Sequence, residues 1–599
     1  MLRILFIFCL APLWVFSQNI DRGPVVGGVT DTSARIYIRT SAPQQFQLEY
    51  STDSTFATSL SRSVSTDSAG FLTRITDLDS LQAATKYWYR FNFGGVVDSV
   101  KGSFKTFPVP GTKGHYKIIV ASCNYNNNDP IFESVQAFAP DVFLHLGDWN
   151  WAPNPLGTDY NLFPQKRAES FANRFNDRMM RTYVLPNTPI TYTYDDDYTE
   201  NDSEGYTYPR DRVEVIGGEV FNRFETYPLD SNIRRGAIEA YHDFFPGYPL
   251  VDSVHGIYHE FTLGNVEIFM TDGRLNRDPK FEAFVYDSVE NKWSFNPPPG
   301  HSMLGETQRQ WLLDGLENSD ADWKLIGNGV VFNRQYKRIL DVGLLLQAIQ
   351  FSFGGVNGSG GTLASQMSYN WVGYPEDQQP LIDGYANGTI KDILFMSGDS
   401  HSSVLDDGTN GGIPEVNSSG LAAGDEGFLN YYIDSVGQLI GFPPVIDSVW
   451  NGGGNGVGNR NFSDTYAQIE VFGNDSLRVC VVDEMDQTLG CMTLIHSSKK
   501  PTGVETVFGK PDEYLTLIFP NPTKDQIRLV LSDSYIPQAS DYVTITDING
   551  RQVQRFSQKQ LANMAYIIPL GEFAQGTYLL HYYSATKGVE TRKVLVMKY

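Results

Sequence analysis

The chain has 599 residues, of which 41% are hydrophobic and 19% charged, and its 46 basic against 69 acidic side chains give a formal net charge of −23. Such a length is too great for one hydrophobic core, and such a composition excludes a disordered polymer. The acidic excess argues against nucleic acid as a binding partner, because no basic face would displace the counterions of its phosphates, and it makes cations the natural ligands.

Residues 1–18 hold Arg3, the apolar run Ile4–Phe16 and then Ser17-Gln18. A positive start followed by an apolar stretch too short to span a bilayer is the pattern of a cleaved signal peptide, with a membrane anchor as the alternative. No later stretch is long and apolar enough to span, so the expected product is secreted or held at the cell surface. Residues 20–108 contain the alternating runs Ala34–Ile38, Gln45–Tyr50 and Lys86–Phe91 between Gly, Ser, Thr and Asp clusters. That spacing predicts a small β-sandwich. Pro108–Gly114, rich in Pro and Gly, is a natural linker.

Between residues 114 and 497 apolar strands alternate with helical stretches. Lys117–Ala121, Asp141–Leu146, Ile190–Thr193, Val266–Thr271, Trp323–Gly327 and Asp392–Ser397 are the strand candidates. Pro130–Ala139, Arg167–Leu185 and Thr307–Asp314 are the helical ones. The pattern predicts a layered α/β or α+β domain. Glu415–Phe462 is rich in Gly and Asn and reads as a long surface excursion, after which Tyr466–Val471, Ser476–Val482 and Cys491–His496 return to β pattern. Residues 498–513 read as a second linker, and residues 514–599 as another all-β segment.

Cys9 lies in the signal segment, while Cys480 and Cys491 flank the turn-like Glu484–Gln487 and could pair across a hairpin in an oxidising compartment. Cys123 is left alone where the strand Lys117–Val120 gives way to an Asn-rich loop, either inert or chemically active.

Three polar clusters sit where apolar runs end. Gly147 lets the chain turn after Val142–Leu146 so that Asp148 projects from a strand's carboxyl end, where open α/β sheets bind ligands. Gly398-Asp399-Ser400-His401 repeats the arrangement, with a carboxylate and an imidazole two positions apart, a mixed O and N set suited to a divalent or trivalent cation. Asp195, Asp196, Asp197, Glu200, Asn201 and Asp202 crowd negative charge into one loop, which a cation would neutralise or water would solvate.

The order Ser122-Cys-Asn, Leu146-Gly-Asp, the acidic run ending Asn201-Asp202, Thr271-Asp-Gly-Arg274, Met303-Leu-Gly with Gln308 and Trp311, Trp323–Gly327 and Gly398-Asp-Ser-His resembles the PhoD-type alkaline phosphatases of the calcineurin-like metallophosphatase superfamily. The resemblance runs from about Gly23 to His496. It implies a four-layer α/β/β/α sandwich with an N-terminal fibronectin III-like β-sandwich. It also implies phosphomonoesterase or phosphodiesterase activity through a metal-bound hydroxide, with two or more metal ions, iron and calcium among them. By the same resemblance Cys123 binds the ferric-type ion, Asp148 bridges the metals, Asn201 serves the second metal and His401 returns to the first. Asp399 stands where other superfamily members carry His, and Arg274 either steadies the phosphate or forms a structural salt bridge. The chain departs from the family twice: Trp151 replaces its iron-binding Tyr, and Asp195-Asp196-Asp197 lacks the His of its acidic run. An indole N–H cannot replace a phenolate as a ligand.

Phe519-Pro-Asn-Pro522 with Asp525, Asp547-Ile-Asn-Gly-Arg551, Gly576-Thr-Tyr578 and Lys593–Val596 resemble the type A sorting domain of the type IX secretion system. That implies a C-terminal β-sandwich read by the export machinery, against an ordinary adhesive module as the alternative. The leading expectation is therefore a secreted metal-dependent phosphoesterase. Two alternatives stand beside it: a phosphodiesterase of lipid or nucleotide diesters, and a surface binding protein on a phosphatase fold that has lost turnover, the latter prompted by Trp151 and the missing His.

Overall fold

The computed structural model describes residues 19–124, 129–149, 163–194, 231–287, 292–348, 367–422, 449–455, 463–499, 515–519, 523–531, 535–548, 550–586 and 588–596, with a few short pieces between them. The chain divides into two compact units, one of Met1–Ser435 with Val445–Lys500 and the other of Val436–Pro444 with Pro501–Tyr599.

Two sheets organise the larger unit. In the first, nine strands lie in the order Thr488–Ile495, Ser476–Asp483, Thr465–Phe472, His115–Ala121, Val142–His145, Ile190–Tyr192, Ile20–Gly27, Ala34–Thr40 and Thr73–Leu78. At its centre His115–Ala121, Val142–His145 and Ile190–Tyr192 run parallel, pairing Ile118 with Val142 and Phe143 with Ile190. Parallel strands end at a common edge, and Cys123 and Asp148 both lie just past it. In the second sheet six strands follow the order His259–Leu263, Val266–Met270, Trp323–Gly327, Ile393–Ser397, Glu415–Ser418 and Ser403–Asp406. Val266–Met270, Trp323–Gly327, Ile393–Ser397 and Glu415–Ser418 are parallel to one another, so Arg274, Asp399 and Ser419 all follow carboxyl ends.

The near-continuous apolar runs are explained by burial on both faces. Alternate residues of each strand point to opposite sides, so Ile118, Val120 and Leu144 of the first sheet share one core with Ile268, Leu325 and Leu394 of the second. Their neighbours Ile119 and Phe143 pack instead with Phe132 of the helix Ile131–Phe138 and Phe171 of the helix Pro164–Arg174. Phe269, Ile326 and Phe395 do the same on the far side, against Leu312 of the helix Glu306–Asn318 and Leu381 of the helix Pro375–Asn387. Each such side chain removed from water contributes about 1.5–3 kcal/mol, and this layering holds the strand ends in place.

Four differences from the sequence reading have physical causes. The single helical stretch Arg167–Leu185 is two helices, Pro164–Arg174 and Arg178–Tyr183, because Asp177 between them caps the second by accepting from the Met180 amide at 2.8 Å. The N-terminal segment is not set apart by its linker. Strands Leu60–Thr66, Gln44–Ser51, Lys86–Phe93 and Val96–Lys105 form their own sheet, but Ile20–Gly27, Ala34–Thr40 and Thr73–Leu78 extend the nine-stranded one, joined where Gly27 pairs with Ile190. A Cβ at Gly27 would come 2.3 Å from the Pro246 carbonyl oxygen, so only glycine permits that join. The expected surface excursion from Glu415 is corrected as well: Glu415 to Ala422 is buried throughout and begins with a strand of the second sheet. Its small polar side chains carry no apolar period, yet they are spent on hydrogen bonds inside the fold. Lastly, the C-terminal segment contains a short helix, Gln558–Asn563, started by the reciprocal capping of Ser557 and Gln560.

Cys480 and Cys491 are direct partners in the ladder between Ser476–Asp483 and Thr488–Ile495 and form a disulfide. The smaller unit has sheets of three and four strands, whose facing residues include Ile527, Leu529, Val543, Ile545, Leu580 and Val594. Among the described residues no helix is long and apolar enough to cross a membrane.

Candidate metal centre

Past the edge of the first sheet the two loops continue to pair. The Cys123 amide donates to the Gly147 carbonyl (3.2 Å) and the Asn124 amide to the Asp148 carbonyl (3.0 Å). This side-by-side course puts the Cys123 Sγ 3.3 Å from Asp148 Oδ2. His401, from the second sheet, completes a group whose ligand atoms all lie within 4.8 Å of one another. Cys123 and Asp148 are buried, and His401 is half-buried.

Backbone conformation marks the same residues. Cys123 (φ 59°), Asp148 (φ 53°), Asp399 (φ 69°) and His401 (φ 47°) are all left-handed, a region that non-glycine residues seldom occupy and that persists where surrounding structure enforces it. For Cys123 the strain can be measured. In metal-free protein Cys123→Gly is expected to be more stable than Cys123→Ala by about 1 kcal/mol, since only alanine retains the Cβ clash. Urea unfolding of the two variants checks this, and equal midpoints would contradict it.

Electrostatics favour a cation. Burial pushes the Cys123 thiol well above its ordinary value, and the charges of Asp148 and Asp399 push it further. A buried thiol beside two carboxylates is a poor arrangement for an anion but a good one around a multivalent ion, which would draw off the thiol proton and balance the carboxylates. The S, O and N donors converge closely enough for one ion, so these residues fit a metal. Beside them His145 is held neutral, its pKa lowered to about 3 by burial and then by the Arg174 charge. Its Nε2 lies 2.7 Å from Asn124 Oδ1, and its ring stacks on Trp149 at 4.7 Å, so it braces the residue next to Cys123.

Arg274 is brought to the centre's flank. Its Nη2 lies 4.0 Å from Asp399 Oδ1 and also donates to the Tyr369 hydroxyl, and its guanidinium sits 4.4 Å over the Tyr369 ring. Asp272 fixes the preceding turn by accepting from the Arg274 and Leu275 amides, each at 2.9 Å. The structure thus gathers Cys123, Asp148 and His401, with Asp399 and Arg274 adjoining. Asn201, Asp195, Asp196, Asp197 and Trp151 lie outside the described residues. Sequence reasoning missed His145, Trp149 and Asn417. The first two had a usable signal, His145 as a polar side chain inside the apolar run that ends at Gly147 and Trp149 as a bulky aromatic directly after Asp148, whereas Asn417 had none.

Residues 118–425, just over half of the chain, match the PhoD-like phosphatase family, residues 15–108 match the PhoD-like phosphatase N-terminal domain, and residues 517–597 match the secretion system C-terminal sorting domain. Alkaline phosphatase D of Bacillus subtilis (strain 168) is 24% identical over 354 residues, which cover 55% of this chain and 53% of that protein. The chain thus spans about half the length of this curated relative. The solved structure of PhoD superposes with a TM-score of 0.55 at 17% identity, covering 81% of this chain and 94% of that one. A purple acid phosphatase from yellow lupin (Lupinus luteus) seeds gives a TM-score of 0.43 at 11% identity, covering 79% and 74%, which is too remote to carry an argument.

Proposed function

The chain belongs to the PhoD-like phosphatase family, and on that footing we propose that it is a secreted, metal-dependent phosphoesterase acting on organic phosphate esters. The observation that carries this reading is the convergence of Cys123, Asp148 and His401, donors from the carboxyl edges of two sheets, on one buried point. Cys123, Asp148 and His401 would hold one ion, with Asp399 beside them, and Asp148 and Asn201 would serve a second. Iron and calcium are the ions we expect, on a four-layer α/β/β/α scaffold. When bound, such ions place positive charge against the phosphoryl oxygens and acidify the attacking water.

The chain's own residues set the conditions for that chemistry. Burial of Cys123 and Asp148 keeps bulk water from competing for the centre and strengthens every charge interaction there. Arg274, pre-set by Tyr369 and Asp399, offers a fixed fork of donors suited to phosphate oxygens. His145 stays neutral and fixed, so it orients rather than transfers protons. With no histidine in the acidic run at 195–197, the leaving group takes its proton from water or from another acid of the site. The sorting-domain match supports export through the type IX machinery to the cell surface or beyond.

Metal analysis of the purified protein, beside hydrolysis of chromogenic phosphate mono- and diesters, tests the reading. About two bound ions and ester cleavage are expected, the number a two-metal phosphoesterase requires. The preferred ester then separates monoesterase from diesterase. Bound metal without hydrolysis of either ester would leave a binding protein, and no metal after reconstitution with iron and calcium would remove the centre altogether.

A further inference from the structure

The strand that begins at Glu415 leads into a segment that touches both halves of the metal centre. Toward the first sheet, the Ser418 hydroxyl donates to the Val120 carbonyl (2.8 Å), and the Leu421 and Ala422 amides donate to the Ser122 (3.1 Å) and Cys123 (3.2 Å) carbonyls. Toward the second, the Ser419 amide donates to the Ser402 carbonyl (3.1 Å), while the Ser402 amide donates to the Ser419 hydroxyl (3.0 Å). At the start of this strap sits Asn417, fully buried. Its Nδ2 donates to the Gly398 carbonyl (2.8 Å) and to the Ser397 hydroxyl (3.0 Å). Its Oδ1 accepts from the Ser400 hydroxyl (2.6 Å), and the Ser419 hydroxyl lies 3.0 Å from the same oxygen.

An amide offers two donors and two acceptor directions, and here both donors and one acceptor direction are used, with the Ser419 hydroxyl beside the other and also 2.9 Å from the Ser402 carbonyl. The Gly398 carbonyl can only accept, so it fixes which end of the amide is nitrogen. The contacts fall on Ser397, Gly398 and Ser400, which surround the left-handed residues Asp399 and His401. A loop held in a rarely populated conformation stays there only if its surroundings over-determine it. In this loop the Asn417 side chain holds Ser397, Gly398 and Ser400 and Ser419 holds Ser402, all from a segment that also grips the Cys123 loop.

We propose that Asn417 is a positioning residue for the metal centre, fixing the Asp399 and His401 loop at a set distance from Cys123 and Asp148 through the strap that follows it. The inference rests on the phosphoesterase reading above. It does not require Asn417 to touch metal or substrate. It requires that metal affinity depend on an amide nitrogen that lies outside the ligand set.

Asn417→Asp tests it, since the aspartate keeps the shape and the acceptor for Ser400 but offers at most one carboxyl proton in place of two amide hydrogens, so the Gly398 carbonyl and the Ser397 hydroxyl can no longer both be served. Ser400→Ala is the milder variant, removing a single bond to Oδ1, and it decides the matter if Asn417→Asp does not fold. The readouts are iron and calcium retained after dialysis against a graded chelator, measured by plasma mass spectrometry, together with the unfolding midpoint of the metal-free protein. Outer-shell residues of metal sites typically govern 10–100-fold in metal affinity. A loss in that range is expected for Asn417→Asp together with a lower metal-free midpoint, since a buried hydrogen bond is lost, and a smaller loss of metal for Ser400→Ala with a nearly unchanged midpoint. Metal retention equal to wild type, whether or not the midpoint falls, would overturn the inference while leaving the phosphoesterase reading intact. A wild type that binds neither ion would overturn both.

Discussion

Asp148→Asn is expected to lower hydrolysis of a phosphate ester by about a thousandfold or more, the several kcal/mol that a metal's charge contributes to phosphoryl transfer. The substitution keeps the shape of the side chain and its place 3.3 Å from the Cys123 sulfur. It removes the negative charge that two ions would share. Metal content should therefore fall along with activity, and added metal should not restore the rate. Cys123 provides an internal check: with the neighbouring carboxylate gone, one of the charges that raise its thiol is removed, so alkylation of the native, metal-free protein should shift to lower pH. Near-normal turnover with full metal content would show that Asp148 is not shared between ions.

Glu415→Gln is expected to change how stability depends on pH. Glu415 and Asp406 are opposite one another on the antiparallel strands Glu415–Ser418 and Ser403–Asp406, and both are fully buried. Burial lifts Glu415 to about 8 and Asp406 to about 7. One oxygen of each is well served, Glu415 Oε1 by the Phe332 amide (2.8 Å) and the Ser397 hydroxyl (2.5 Å), Asp406 Oδ2 by the Gly411 amide (2.6 Å). The other oxygens, Oε2 and Oδ1, meet no donor among the described residues, as suits carboxyls that carry their own proton. An unfolded glutamate releases that proton near 4.5. Between that value and about 8 the folded chain holds a proton that the unfolded chain has lost, so the group's stabilising contribution is full below 4.5, falls as pH rises, and levels off above about 8.

The slope amounts to roughly a tenfold change in the folding equilibrium per pH unit for one such group. Glutamine keeps the acceptor and supplies a permanent N–H. The variant should accordingly lose the Glu415 share of the alkaline decline and gain on wild type between pH 5 and 9 in urea midpoints. Parallel profiles for the two proteins would show that Glu415 is already ionised when folded. Asp406→Asn should add a second, smaller flattening, with its window ending nearer pH 7.

Most of the scaffold was legible because its strands are buried on both faces and therefore read as unbroken apolar runs. Lys117–Ala121, Trp323–Gly327 and Asp392–Ser397 were placed within two residues of the strands observed. The strand ends also announced Cys123, Asp148 and His401: an apolar run gives way to an Asn-rich loop at the first, and Gly147 and Gly398 end the runs before the other two. What escaped notice has the opposite character. Asn417, Ser418 and Ser419 contribute through hydrogen bonds to loops far away in sequence, and no local period records that. Nor could the join at Gly27 and Ile190 be foreseen, because a strand's pattern states that it is buried and not which strand lies beside it. Phe175 and Asn176 are apolar and polar as a continuous helix would allow, so only the capping carboxylate of Asp177 betrayed the break.

The strand order of the large sheet bears on how the molecule is made. His115–Ala121, the strand that leads to Cys123, has Val142–His145 on one side and on the other Thr465–Phe472, a segment that leaves the ribosome several hundred residues later. Until that segment arrives, the backbone of His115–Ala121 presents an open apolar edge, the kind of surface to which another chain can add. Pairings so remote in sequence also close slowly. Synthesis and transit therefore pass through a long interval in which most of the chain exists but the sheet is unfinished. Refolding from denaturant should be slow and concentration-sensitive, and a chain truncated before residue 465 should aggregate rather than yield a smaller working domain.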